Sequence, residues 1–141
     1  MHAQIAGRPT MNRERLLTVF LRIVGCVAAL AAFCVILPYA WMDAVHRALG
    51  LGALPAQPIV GYLARSTSAL YALYGVVLLA ASVDVIRYRP LLRVIGLATL
   101  ALGLTLFGVD HVEALPRFWR IGEGSIDVVI GAVIVFLSRP S

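Results

Sequence analysis

The chain has 141 residues, of which 61% are hydrophobic and only 13% are charged, and its formal net charge is +5. This composition indicates a protein whose solvent is lipid. The sequence contains no glycine-rich nucleotide loop, no nucleophile-base-acid triad and no set of Cys and His residues with metal-ligand spacing. Composition therefore predicts the class of fold, but the sequence motifs do not identify a reaction or a ligand.

The chain contains four apolar segments. A helix needs about 20 residues to cross a bilayer. The first segment, residues 16–37, is interrupted by Arg22 and ended by Pro38. The second, residues 69–83, reaches spanning length if its helix starts near Pro58, a residue that suits a first helical turn. The third is residues 91–109. The fourth, residues 126–137, either begins earlier, near Trp119, or is a half-helix.

The arginines predict the orientation, because basic residues that flank spans stay on the cytoplasmic side. Eight arginines lie on one side of the predicted spans and four lie in two longer loops on the other. The eight are Arg8, Arg13, Arg15, Arg22, Arg87, Arg89, Arg93 and Arg139, and the four are Arg47, Arg65, Arg117 and Arg120. The positive charge is thus attributed to topology and to inner-leaflet lipids rather than to nucleic acid.

The predicted fold class is all-α, an integral membrane four-helix bundle with both termini inside and an amphipathic interfacial helix in the first outer loop. A single domain at residues 1–141 is expected, with spans at about 16–38, 60–83, 91–110 and 120–138 and a cytoplasmic tail at 1–14. The predicted location is a membrane in which both termini face the cytoplasm.

A cleaved signal peptide is the alternative for the first segment. The segment is 22 residues long, which exceeds the apolar region of about 7 to 15 residues usual for such peptides, and no small-x-small cleavage site follows, which favours retention. Cys26 and Cys34 are eight residues apart on one predicted helix, too far for a disulfide, and are interpreted as packing residues.

Small residues are expected to bring the helices together, because lipid gives apolar helices no hydrophobic reason to associate. The expected contact residues are Gly25, Ala28, Ala29, Ala32, Ala72, Gly75, Ala80, Gly96, Ala98, Ala101, Gly103, Gly131 and Ala132.

The first outer loop carries an amphipathic pattern. Written as a helix, residues 41–49 place apolar side chains on one face and Asp43, His46 and Arg47 on the other, and Gly50 suits the helix end. We expect this helix to lie along the membrane surface as a lid over the outer end of the bundle.

The strongest functional pattern is a polar stripe in the fourth span, where Arg120, Glu123, Asp127 and Gly131 recur at intervals of three and four. Ionisable groups inside a membrane usually face the bundle interior and pair. A ligand-binding pocket opening to the outer face is therefore predicted, with the residues Arg65, Tyr71, Tyr74, Asp110, His111, Glu113, Glu123 and Asp127.

Simpler interpretations compete with this pocket. Gly122 and Gly124 could break the helix, after which Ser125 would be an N-cap and Asp127 would stabilise the first turn. The two tyrosines could be packing residues. Asp110, His111 and Glu113 have the donor atoms of a metal site but lack a fourth ligand, so no metal is predicted.

Several motifs resemble a known group of proteins. They are Leu49-Gly50-Leu51-Gly52 with Pro55 and Pro58, the run from Tyr62 to Ser68 leading into Tyr71-Ala72-Leu73-Tyr74-Gly75, Asp84 with Arg87-Tyr88-Arg89-Pro90, and Glu123-Gly124. From about Leu37 onward the chain resembles the BphX-like family of small bacterial four-helix membrane proteins. The resemblance implies the fold and a bacterial membrane location, and it carries over no catalytic residue.

Two functions are compatible with these patterns. The first is a non-enzymatic membrane protein, an accessory subunit or a binder of a small hydrophobic or aromatic ligand in the outer pocket. The alternative is a membrane enzyme or redox partner that acts on a lipid-soluble substrate, such as a quinone, through Asp110, His111 and Glu123. The expected partners are the bilayer, a hydrophobic small molecule, and a second copy of the chain or another membrane subunit. No cofactor is assigned, and nucleic acid is not expected to bind.

Overall fold

A computed structural model describes residues 9–113 and 115–139, and within these ranges the chain is helical with no strand. The helices are α1 (Pro9–Ala29), α2 (Ala32–Ile36), α3 (Tyr39–Ala48), α4 (Pro58–Ala81), α5 (Arg89–Val112) and α6 (Arg117–Leu137). The predicted all-α class is confirmed.

The first apolar segment is not one continuous helix. α1 ends at Ala29 and α2 starts at Ala32, and the intervening turn is closed by the amide of Ala31 donating to the carbonyl of Ala28. The predicted end at Pro38 fits, since α2 stops at Ile36. α1 begins at Pro9, inside the predicted tail at residues 1–14, of which residues 1–8 lie outside the described residues.

The starts of α4 and α6 agree with signals in the sequence. α4 begins at Pro58, as expected from a proline that needs no intrahelical amide partner. α6 begins at Arg117 and runs to Leu137 through Gly122 and Gly124 without a break. The early start of the fourth segment is therefore confirmed, and the interpretation of a helix that begins at Ser125 is wrong.

Within the described residues, three helical segments are long and apolar enough to cross a membrane, namely Asn12–Ile36, Pro58–Ala81 and Arg89–Val112. These segments support a membrane protein. α6 is not one of them. Every 18-residue stretch of it contains at least three charged residues, Arg120, Glu123 and Asp127, which makes it too polar to count as a span by composition alone.

The chain divides into two compact units. The first comprises residues 9–21 and 81–139 of the described chain, and the second comprises residues 22–80. The expectation of a single four-span domain stays a prediction.

In the first unit, α5 and α6 pack as antiparallel neighbours along paired glycines. A Cβ atom added to Gly131 would lie 2.6 Å from the carbonyl oxygen of Gly96, and one added to Gly103 would lie 2.7 Å from that of Gly124. The two glycines of α5 are seven residues apart, and so are the two glycines of α6. Seven residues are about two helical turns, so both contacts lie on one face of each helix. The prediction that small residues allow close approach is confirmed for Gly96, Gly103 and Gly131.

The first unit also buries apolar side chains, which lie on α1, between residues 81 and 92, and at the end of α6. Those of the first unit are Leu17, Leu21, Ala81, Val85, Leu92, Ile134 and Leu137. In the second unit, Gly75 of α4 contacts α1, since an added Cβ would lie 2.5 Å from the carbonyl oxygen of Gly25. Large apolar side chains elsewhere point outward, among them Leu70 and Leu73, which is the distribution expected of a surface in contact with lipid.

Candidate functional site

Arg65 is held at the end of α2 in the second unit. Its Nε donates to the carbonyl oxygen of Val35 and its Nη2 to that of Leu37, both at 3.0 Å. The last carbonyls of a helix have no intrahelical partner, and a guanidinium satisfies two of them at once. The sequence predicted Arg65 as a ligand contact, and the structure gives it this additional capping role.

A groove opens beside Arg65 with a volume of about 490 Å³. It is lined by Val35, Pro58, Tyr62, Arg65, Ser66 and Ala69. Its walls are mainly apolar, with the guanidinium as the charged group, and its size falls in the range of small-molecule sites. Of the predicted site residues, Arg65 lines this groove.

The predicted tyrosines lie further along α4 and do not line the groove. Tyr71 is 37% exposed and Tyr74 is half-buried. Their role as ligand contacts stays a prediction.

The helix of the first outer loop, α3, ends in a Schellman motif. The amide of Leu51 donates to the carbonyl of His46 at 3.1 Å, and the amide of Gly50 donates to that of Arg47 at 3.0 Å. Gly50 adopts a φ of 75°, a conformation that side chains with a Cβ disfavour. The predicted role of Gly50 at this helix end is confirmed.

The polar face of α3 holds the loop that follows it. Asp43 accepts the backbone amide of Leu54 at 2.7 Å and the Nε of Arg47 at 2.9 Å. These bonds, first that of Leu54 and then that of Arg47, hold the pKa of Asp43 below its ordinary value of 3.8. The Nδ1 of His46 lies 2.9 Å from the carbonyl oxygen of Gly52, so Nδ1 carries the hydrogen.

The apolar face of α3 is exposed. Trp41 is 66% exposed, Val45 55% and Leu49 40%, while Asp43 and His46 on the opposite face are half-buried against the loop. This distribution is the reverse of that of a helix on a water-soluble core.

In the first unit, the predicted acidic site residues occupy different environments. Asp110 is 2% exposed, and its Oδ2 has no hydrogen-bond partner among the described residues. It follows Gly103 by seven residues and thus continues the α5 face that contacts α6. His111 and Glu113 are exposed, so Asp110 is buried while its two predicted neighbours are not.

The α6 stripe is half-buried. The indole Nε1 of Trp119 donates to Glu123 at 2.5 Å, one turn along the helix. Within the described part of the chain, the Oδ2 of Asp127 and the Nε of Arg120 are buried without a hydrogen-bond partner. The expectation that the ionisable groups of this stripe pair inside the bundle stays a prediction.

The predicted site residues belong to both units. Arg65, Tyr71 and Tyr74 lie in the second unit, whereas Asp110, His111, Glu113, Glu123 and Asp127 lie in the first. One pocket shared by all of them stays a prediction. Among residues 9–113 and 115–139, no three His, Cys, Asp or Glu side chains are grouped as metal ligands would be.

Comparison with known proteins leaves the chain without an identified relative. No family model, curated protein or solved structure matches it. The resemblance to the BphX-like family is therefore neither supported nor excluded.

A polar contact that the sequence did not predict lies where α1 and α5 begin and α6 ends. Arg13 and Arg93 donate to backbone carbonyls at the end of α6, and Arg89 pairs with Glu14. The sequence signal was present, because all three arginines fall on the side predicted to be cytoplasmic, but hydropathy does not reveal which carbonyls they reach.

Proposed function

We propose that the chain is a multi-pass protein of the bacterial inner membrane with four spans and both termini inside, of the BphX-like kind. α6 has 21 residues, about 31 Å of helix, which is long enough to cross the hydrocarbon region. Its glycine pairing with α5, which is itself apolar enough to span, supports a crossing of similar depth. Arg120 and Glu123 lie in its N-terminal half, toward the proposed outer face, and Asp127 is its central residue.

α3 lies in the outer interface in this proposal. Its exposed face carries Trp41, Val45 and Leu49, and its polar face is bonded to the loop. A helix with this distribution places its apolar side in the headgroup region, where Trp is favoured.

The function that we propose is non-enzymatic binding of a small amphipathic or aromatic ligand in the groove beside Arg65. The groove is the observation that carries this proposal, because it combines a fixed guanidinium with an apolar wall that includes Tyr62. The bonds to Val35 and Leu37 use Nε and Nη2, so Nη1 can donate to a carboxylate, phosphate or carbonyl oxygen. Val35, Pro58 and Ala69 would contact the apolar body of the ligand.

An accessory role beside another membrane subunit, or in a homo-oligomer, is compatible with this binding. The alternative, an enzyme that uses Asp110, His111 and Glu123 on a quinone-like substrate, would need these groups at one reacting centre. Asp110 is buried and His111 is exposed on the same helix end, which favours the binding proposal.

The test fills the groove without removing Arg65. Ala69→Phe places an aromatic ring in the groove, and Leu70→Phe is the matched control, because Leu70 is 66% exposed. A dansyl-labelled fatty acid is titrated into the detergent-extracted protein and its fluorescence is followed. We expect at least about tenfold weaker binding for Ala69→Phe, a loss of about 1.4 kcal/mol, and unchanged binding for Leu70→Phe.

Equal binding by wild type and Ala69→Phe would contradict the groove as the site. Native mass spectrometry of the same preparation gives a second readout, since it detects a ligand that co-purifies with the wild type. We expect that ligand to be depleted in Ala69→Phe and retained in Leu70→Phe.

A further inference from the structure

Arginines converge at the end of the first unit where α1 and α5 begin and α6 ends, which we name the arginine end. Arg13 donates from Nη2 to the carbonyl oxygen of Phe136 at 2.6 Å, and Arg93 donates from Nε to that of Ser138 at 3.0 Å. The C-terminus of a helix carries partial negative charge and unpaired carbonyls. These contacts therefore fix two guanidinium groups beside the end of α6.

A third arginine at this end, Arg89, is partly buried. The Nη2 of Arg89 lies 3.0 Å from Glu14, in a pair whose side chains are 24% and 29% exposed. The Nε of Arg89 is buried and has no hydrogen-bond partner among the described residues. Each of the three arginines uses one nitrogen in these contacts, and a guanidinium carries five N–H donors.

The charge at the arginine end is not balanced. Among the described residues of this end, six arginines and two carboxylates give a net charge of +4; they are Arg13, Arg15, Arg87, Arg89, Arg93 and Arg139 against Glu14 and Asp84. The backbone amide of Arg87 donates to Asp84 at 3.0 Å, and the Arg87 guanidinium lies over the ring of Tyr88. Arg87 is exposed, and no carboxylate of the described residues forms a salt bridge with its guanidinium.

Exposed apolar side chains lie on the same segments of the chain as these cations. Leu16 is 61% exposed, Ile86 60% and Phe136 58%, and the guanidinium carbon of Arg13 lies 5.0 Å from the centroid of the Phe136 ring. A free phosphate would satisfy the arginines but leave this apolar rim uncovered. A phospholipid covers both, because its headgroup is anionic and its acyl chains are apolar.

We propose that the arginine end binds the anionic headgroup of a membrane phospholipid. Basic pockets between membrane helices on the cytoplasmic side are suited to such headgroups. The inference rests on the membrane location in the proposed function but not on the groove beside Arg65, which lies in the other unit.

The experiment is a native mass spectrometry titration of the full chain in detergent with phosphatidylglycerol or phosphatidylcholine. We expect preferential binding of phosphatidylglycerol. Arg87→Gln and Arg89→Gln should each weaken it about fivefold, the effect of one arginine near the membrane surface on an anionic lipid. Arg117→Gln, an exposed arginine at the opposite end of α6, is the matched control and should leave the affinity unchanged.

Equal affinity for the two lipids, or equal weakening by Arg117→Gln, would overturn the proposal. Displacement of phosphatidylglycerol by millimolar inorganic phosphate would assign the site to a free anion and would also overturn it. If Arg89→Gln fails to fold after losing its pair with Glu14, Arg87→Gln decides the outcome. Unchanged fatty-acid binding in Ala69→Phe with intact phosphatidylglycerol binding would reject the groove alone, whereas release of the chain from membranes by alkaline carbonate would reject both proposals.

Discussion

Gly131 on α6 lies against the backbone of Gly96 on α5. A Cβ at Gly131 would lie 2.6 Å from the carbonyl oxygen of Gly96 and 2.5 Å from the amide nitrogen of Leu100. Both obstacles are backbone atoms of a helix and cannot move as a side-chain tip can. The two helices can approach this closely because neither residue has a side chain, the arrangement that stabilises helix pairs in lipid.

Gly131→Ala should therefore destabilise the first unit by about 1 to 3 kcal/mol, because α6 must move away from α5 to accept the methyl group. Gly122→Ala is the matched control on the same helix, since nothing lies within 4 Å of its added Cβ. Alanine is the better helix former, so the control should be neutral or slightly stabilised. Thermal unfolding in detergent measures both, and equal melting temperatures would contradict the glycine contact.

Gly50 is constrained by backbone conformation rather than by space. Its φ is 75° and nothing lies within 4 Å of an added Cβ. Gly50→Val should loosen the end of α3 by about 1 to 2 kcal/mol, and Gly50→Asn should cost less because Asn tolerates this conformation. Hydrogen exchange at the amide of Leu51 reports the motif, and equal protection in the two variants would argue against it.

The contact between Asp43 and Leu54 should respond to acid. The pKa of Asp43 is lowered in the folded protein, so the carboxylate stabilises the loop above its ordinary pKa of 3.8, and the stabilisation is lost as pH falls through the lower folded pKa. The protection factor of the Leu54 amide should thus be constant near neutral pH and fall below pH 3.8. Asp43→Asn should abolish this dependence, and a wild-type profile in that variant would exclude Asp43 as its source.

Arg65 should matter for stability as well as for binding. Arg65→Gln removes two donors from the carbonyls at the end of α2 and should lower stability by about 1 to 3 kcal/mol. Arg47→Gln removes a 61% exposed arginine paired with Asp43 and is the control, with a much smaller expected effect. Thermal melting of the two variants compares them directly, and equal losses would contradict the capping role.

Much of the helical organisation follows from the sequence because hydropathy and proline position are local signals. The start of α4 at Pro58 and the close of α3 at Gly50 could be predicted for this reason. The break at Leu30 and Ala31 could not, since both residues are apolar and compatible with a helix. The continuity of α6 across Gly122 and Gly124 could not be predicted either, because a glycine in a helical segment is compatible with a helix break and with a close helix contact.

The candidate site was less predictable because it depends on which groups meet in space. Arg65 was identified from its position near a predicted outer interface, but its carbonyl partners at Val35 and Leu37 are 30 and 28 residues away along the chain. The burial of Asp110 beside the exposed His111 likewise depends on the α5 face that α6 covers. A seven-residue glycine spacing on both helices was the signal that could have located that face.

We propose that α6 crosses the membrane, so that residues 12 and 139 lie on the same side. Single cysteines at Asn12→Cys, Ala53→Cys, Arg117→Cys and Arg139→Cys in a Cys26→Ala, Cys34→Ala background are treated with a membrane-impermeant maleimide in spheroplasts and in inverted vesicles. We expect labelling of the cysteines at 12 and 139 in inverted vesicles only, and of those at 53 and 117 in spheroplasts only. Labelling at 12 and 139 from opposite faces would contradict it.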